Sequence, residues 1–419
     1  MSIAEQTAGP EIPRSGFPTR FREAEARGAR LGRPLRRVGR VQGVDEDLMR
    51  RIGERLGVRD EPGAGLAHAM RLRAGAAGRV TMADFRRALH EGIDAVVEPA
   101  PALVDFFAVV DPVPDWVDWD LLERGARVYN RFGQNAADVL LQLSLIGGYR
   151  FGGPTDLLVA TGGLTGGSTR RRLAETQKWV TALSRPDALR RDGEAFRLTV
   201  HVRAMHALVN QSFEPRWDTE RWGLPINRAD QAATLGLFDG VLLLGVRALG
   251  VPVRAADSRA VMHLWKYVGW LMGVDDDWLV DLERDRHRIN YHQLLTQADI
   301  SEAGPRLARS ILEAQVEVHT GRFARLRGRI ARERTLSMLT VFLGPRSMHE
   351  LGLPVRPPWA TAYVVALNTL RYRVLGATPW GRVRLDRWGH RVTARVLGQY
   401  FGAEQHDVGR LDAPPDVLS

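Results

Sequence analysis

Eleven histidines and no cysteine bound the chemistry open to this chain. Without thiolates there are no disulfides, iron–sulfur clusters, cysteine nucleophiles or thiolate zinc sites. Haem attachment through C-x-x-C-H is excluded as well. Any metal must be held by His, carboxylate, Tyr or Met. His201 and His206 are five residues apart, as are His287 and His292. Five residues turn a helix by about 140°, so neither pair converges on one zinc as the i,i+4 pair of H-E-x-x-H does. No dense His/carboxylate cluster suggests a non-haem iron site. A single histidine acting as axial ligand remains open, because haem needs only one such residue and an apolar cavity.

The segment Glu194–Gln211 (EAFRLTVHVRAMHALVNQ) carries two such histidines. On a helical wheel Leu198, Val202, Met205 and Val209 predict the buried stripe, with His201 and His206 about 70° to either side, so periodicity does not choose between them. Their neighbourhoods differ. Arg203, His206 and Asn210 stand in one row, and an arginine one turn from a histidine suits a haem, whose propionates take a cation. The competing reading is a core or rim histidine bonded to a carbonyl. His263, in HLWKYVG, reads as core. His287 and His292 flank an Arg-rich turn (ERDRHRINYH) and read as surface. The tryptophans read as core packing. No Gly-x-Ser-x-Gly elbow supports a hydrolase. Gly147–Gly167 is glycine-rich but lacks both phosphate-loop patterns. It reads as tight connections between packed helices, or as close approach to a bulky ligand.

The elements that position these residues are helical. The patterns predict helices over 46–58, 80–97, 119–145, 170–184, 194–211, 229–249, 256–272, 277–297, 302–340, 360–375 and 384–401, with start signals at Asp45, Thr81 and Ser301. Strand alternation and hairpin dipeptides are missing. Proline-rich breaks fall at 98–101, 111–115, 215–225, 251–253 and 354–358. The expectation is an all-α chain with an N-terminal arm over 1–45, a central domain over 46–300 and a C-terminal helical segment over 301–419 packed on the core.

At 44% hydrophobic and 26% charged residues the composition is that of a globular chain, not a disordered one. The net charge of +10 invites a nucleic-acid reading, but only Lys178 and Lys266 are lysines. Such arginine skew looks like codon bias, and the arginines are spread among acids. The one dense stretch, Arg27–Arg40, reads as a solvated arm, so no nucleic-acid partner is expected. The first twenty residues show no apolar leader and no twin arginine. The longest apolar run, Gly240–Val246, is far short of the ~20 residues a spanning helix needs. A cytoplasmic protein without a transmembrane segment is the expectation.

Five segments resemble a known family: Pro114-Asp115-Trp116, Arg172–Thr176 (RLAET), Arg203–His206 (RAMH), Pro225–Asn227 with Asp230–Thr234, and His263–Gly269. In this order and spacing they are similar to the DUF2236 family, which holds the latex clearing proteins (rubber oxygenases) and the MpaB-type oxygenases. The resemblance covers roughly residues 110–300. It implies an extended globin-like helical domain enclosing a b-type haem, with iron on His206 and O₂ as co-substrate. It places Arg172 and Thr176 beside the haem and Arg203 near it. It puts a proposed base near Asp156.

Two residues depart from the rubber-oxygenase pattern. Glu175 stands where those enzymes carry a lysine able to occupy the distal iron position; it acts as a distal base or faces solvent beside Lys178. Asn210 replaces a basic residue one turn after the ligand. Both departures, with the missing export signal, argue against latex as substrate. The function implied is a haem b-dependent oxygenase oxidising an apolar, unsaturated, isoprenoid-like small molecule, with oxidative C=C cleavage as the family chemistry. An electron donor is compatible with it. The alternative is a non-catalytic haem or apolar-ligand binding protein, a sensor or carrier.

Overall fold

The computed structural model describes residues 16–162, 167–319 and 322–401, and these contain helices and no strand. The first ten helices are α1 (Glu25–Leu31), α2 (Arg33–Val38), α3 (Glu46–Arg55), α4 (Glu61–Arg71), α5 (Met82–Glu91), α6 (Pro101–Val110), α7 (Trp119–Phe132), α8 (Gln134–Val139), α9 (Pro154–Ala160) and α10 (Gly167–Ala182). They are followed by α11 (Glu194–Phe213), α12 (Thr219–Trp222), α13 (Arg228–Phe238), α14 (Gly240–Ala248), α15 (Ala255–Leu271), α16 (Glu283–Leu295), α17 (Ala303–Glu317), α18 (Ala324–Glu350), α19 (Trp359–Asn368) and α20 (Pro379–Phe401). The all-α expectation holds.

The start signals at Asp45 and Thr81 are realised as caps. Asp45 accepts from the Leu48 N–H, and Thr81 and Asp84 form a reciprocal capping box. Ser301 does not cap: Glu302 occupies that place, and the Ser301 hydroxyl is buried without a partner. Helix α6 begins at Pro101, inside a stretch read as a break, because proline at the first helical position gives up an N–H that has no partner there anyway. Pro62, the second residue of α4, is tolerated for the same reason.

Two long helices expected from the pattern are interrupted. The run 119–145 breaks at Gly133, whose φ of +51° a glycine tolerates, and continues after α8 as a wide π turn over Leu140–Ile146. The run 229–249 breaks at Asp239, whose buried carboxylate takes the Arg286 guanidinium at 2.7 Å. Residues 228–248 are the one described stretch long and apolar enough to cross a membrane by length and composition. More than half of it is buried inside the protein.

From residue 16 the segment expected as an arm belongs to the core. α1 and α2 lie along α16. A Cβ at Gly28 would sit 2.0 Å from the Leu294 carbonyl oxygen, so the helices meet backbone to backbone. Arg20 and Arg27 are buried because each has a carboxylate: Asp230 at 2.6 Å and Glu350 at 2.7 Å. This contact also overturns the surface reading of His287 and His292, both buried on α16. His292 accepts from the Asp45 N–H at 2.9 Å through Nε2 and donates to the Arg288 carbonyl at 2.7 Å through Nδ1. His263 is core, as expected, and accepts from the Asp118 N–H.

The main core runs through α3–α8, α10, α11 and α13–α16. A second core joins α17 and α18 to Ile146 and Tyr149, and α20 packs on α7 and α10.

Candidate active site

A cavity of about 1520 Å³ lies between the π turn 140–146, α10 and α13–α16. Ordinary ligand pockets hold roughly 300–1,000 Å³, so this one has room for a large macrocycle and a further apolar molecule. One wall is aromatic: Trp265 stacks on Phe238 at 4.9 Å, and Trp179 meets both edge-on. Trp179 is fixed by its indole N–H, which donates to Thr199 at 2.9 Å.

His206 opens onto this cavity and onto a smaller polar pocket of about 340 Å³ on its other side. His201 lines neither. The most buried stripe of α11 is not the one predicted: Leu198, Val202, Met205 and Val209 are half-buried, while Phe196, Val200, Arg203, Ala207 and Asn210 are buried. Small residues let α4 approach α11, and the buried polar residues have dedicated partners. Arg203 donates twice to Asp60, at 2.7 and 2.8 Å, and to the Leu271 carbonyl. Asn210 accepts from the Ile226 N–H at 3.1 Å. The row that singled out His206 is real, but its two other members are engaged by the protein.

His206 itself has no such engagement. Its Nδ1 is buried without a partner, and no hydrogen bond to either ring nitrogen is formed among the described residues. Burial, helped by the nearby Arg172 charge and opposed by Asp60, pushes its pKa down from 6.5 to about 4. The imidazole is therefore neutral near pH 7, the state that ligates a metal.

The sign of the stability effect follows. Above about pH 6.5 folded and unfolded chains both hold this group neutral. Between there and about pH 4 only the unfolded chain takes up the proton, so the apo-protein loses up to about 3 kcal/mol. Urea titrations of wild type and His206→Leu should show a difference that changes in this window, because the other buried histidines cancel between the two proteins. Parallel stability curves from pH 7 to 4.5 would contradict it.

Thr176 lies on the cavity wall, and its hydroxyl makes no hydrogen bond among the described residues. Arg172, one turn earlier on α10, is half-buried, does not line the cavity, and has neither an ion pair nor a hydrogen bond among them. Burial lowers its pKa, and the charge of Glu175 offsets part of this. Glu175 pairs with Arg171 at 3.0 Å, neither with Lys178 nor at the cavity wall. Asp156 accepts from the Gly153 N–H at 2.8 Å, tying down the start of α9. It too is off the cavity wall.

Two further residues belong to the site and were not anticipated. Asp60 holds Arg203 and, at 3.3 Å, Arg228. The Asp-x-Pro pattern at 60–62 marks a helix start, but a carboxylate partner 143 residues away leaves no local signal. Tyr149 lines the cavity with its hydroxyl buried and unpartnered, and burial raises its pKa. Buried polar groups are normally satisfied, so an orphaned imidazole nitrogen and an orphaned phenol on the wall of an apolar cavity, with the unpaired Arg172 guanidinium one helical turn from Thr176, point to a bound group.

Among the described residues no cluster of three or more His or carboxylate groups could hold a bare metal ion. A haem, the group implied by the sequence resemblance, fits: it needs one neutral imidazole, a large apolar cavity and a cation for its carboxylates. His206, the cavity and Arg172 supply these.

Residues 131–378 match the family described as "ER-bound oxygenase mpaB/B'/Rubber oxygenase, catalytic domain". The rubber oxygenase of Streptomyces sp. (strain K30) is 24% identical over 187 residues, which cover 42% of this chain and 44% of that protein. The chain thus aligns with less than half the length of this curated relative. A solved structure of latex clearing protein in the closed state superposes with a TM-score of 0.61 at 18% identity, covering 84% of this chain and 92% of that one, and shows a shared fold. His206, Arg172 and Thr176 all fall within the matched span, and the chain belongs to the family of mpaB/B' and rubber oxygenase catalytic domains.

Proposed function

We propose that this protein is a haem b-dependent oxygenase acting on an apolar, unsaturated small molecule of isoprenoid type. The observation that carries the reading is His206: neutral, unpartnered at Nδ1, and facing an apolar cavity of about 1520 Å³. When bound, haem supplies the activation of O₂. The chain supplies the rest. His206 would hold the iron through a neutral imidazole that gives up no proton to ligate. Arg172 neutralises a propionate or another anion. Thr176 offers a free hydroxyl donor on the same wall. The Trp179–Phe238–Trp265 wall holds the hydrocarbon and keeps water out. Oxidative cleavage of a C=C bond places both atoms of O₂ in two carbonyls, so it needs no external reductant.

The experiment is incubation of the haem-loaded protein with squalene under ¹⁸O₂. Labelled aldehyde or ketone products are expected, with Arg172→Leu and Thr176→Val slower by on the order of 100-fold, the usual cost of losing a placed donor. The second reading, a non-catalytic haem or apolar-ligand carrier, is favoured by one observation: Glu175, the acid nearest Thr176 on α10, is tied to Arg171 and lies off the cavity wall. Full haem loading with no labelled product from squalene or a carotenoid would leave the carrier reading and defeat the oxygenase.

A further inference from the structure

The helical run from α19 into the π turn Thr369–Val374 leaves one face uncovered among the described residues. Trp359, Tyr363, Leu367, Leu370 and Val374 recur every three or four residues along it and are all exposed, Leu370 and Val374 more than half so. The neighbouring start of α20 adds Trp380, also more than half exposed. Ala360, Val364, Asn368 and Tyr372 are the buried positions of the same run, so the element is anchored, and no described residue covers its outer face. Contiguous apolar surface of this kind marks a contact with something.

Charge says with what. Between residues 359 and 399 there are seven arginines and a single carboxylate, Asp386, which is already paired with Arg131. Arg373, Arg382, Arg384, Arg387, Arg391 and Arg395 make no ion pair among the described residues. Arg384 lies over the Trp380 ring at 3.6 Å, an amphipathic pair with an apolar body and a cationic tip. Aromatic and aliphatic side chains rimmed by unpaired arginines are the composition of an interfacial, membrane-lying helix. A self-association face would bring these unpaired cations together.

The site also has a use. Tyr363 and Leu367 belong both to this exposed face and to the wall of the 1520 Å³ cavity, and Arg395 of α20 is exposed and on that wall too, so the cavity reaches the surface here. We infer that the α19–α20 face docks on an anionic lipid bilayer and admits an apolar substrate to the cavity from the membrane. The docking rests on the surface alone and stands whether or not the cavity holds haem.

Vesicle co-sedimentation of the full chain tests it, with phosphatidylcholine vesicles with or without phosphatidylglycerol. The protein should pellet with the anionic vesicles, and less so as salt rises. Each arginine removed should cost roughly fivefold in partitioning, so Arg373→Gln with Arg387→Gln should weaken binding by more than tenfold. Leu370→Glu with Val374→Glu should abolish it. All four side chains are exposed, so both variants should keep the wild-type melting temperature. Equal recovery in the supernatant with both vesicle types would overturn the inference. So would a dimer that Leu370→Glu dissolves, or duplex DNA competing fully with the vesicles.

Discussion

His206→Ala should yield a protein that no longer retains haem, whereas His201→Ala should retain it. The two histidines share α11 and sit five residues apart, yet only His206 faces the cavity. Its ring makes no hydrogen bond among the described residues, so truncation breaks no internal network. The apo-variant should therefore melt like wild type. Haem affinity should fall by more than about 100-fold, beyond the 10–100-fold typical of losing a partner that merely orients a ligand. Titration of both apo-proteins with haemin, followed in the Soret region, reads the difference. Equal affinity of the two variants would remove His206 from the iron.

Asp60→Ala carries the largest expected loss of stability. Asp60 is the common counterion of Arg203 and Arg228, and all three side chains are largely buried. Removing one partner of a buried pair leaves an uncompensated charge, at a cost of about 3–5 kcal/mol. Here Arg203 loses its carboxylate and Arg228 keeps only Asp275, at 3.5 Å. The urea midpoint should fall by that amount with an unchanged slope, and Asp60→Glu should recover part of it. Haem affinity should fall as well, because Asp60 ties α4 to the turn of α11 that carries His206. A loss below about 1 kcal/mol would show that water solvates both arginines and that the cluster does not support the site.

These two residues mark the limits of what the sequence makes legible. The helices of the central region follow from apolar periodicity, and the caps at Asp45 and Thr81 from side-chain chemistry that acts within four residues. His206 could be singled out as one of two because a helical row is also local. The resemblance favoured His206 over His201; the structure adds that His206, and not His201, lines the cavity, which is assembled from elements scattered along the chain.

Long-range pairing explains the misreadings. Arg20 and Arg27 look like a solvated arm until Asp230 and Glu350 come to meet them. His287 and His292 look exposed until α1 and α2 cover α16. Arg203 looks like a propionate partner until Asp60 takes its Nε and Nη2 and the Leu271 carbonyl takes its Nη1. Pro62 and Pro101 read as breaks or pass unnoticed, although proline opens a helix as readily as it ends one.

The absorption spectrum of the purified full-length protein, with its pyridine haemochrome, tests the central claim most directly. A single neutral imidazole on an apolar cavity predicts a Soret band and a b-type haemochrome equimolar with the chain, lost on His206→Ala. A colourless protein that gains no Soret band on titration with haemin would contradict it.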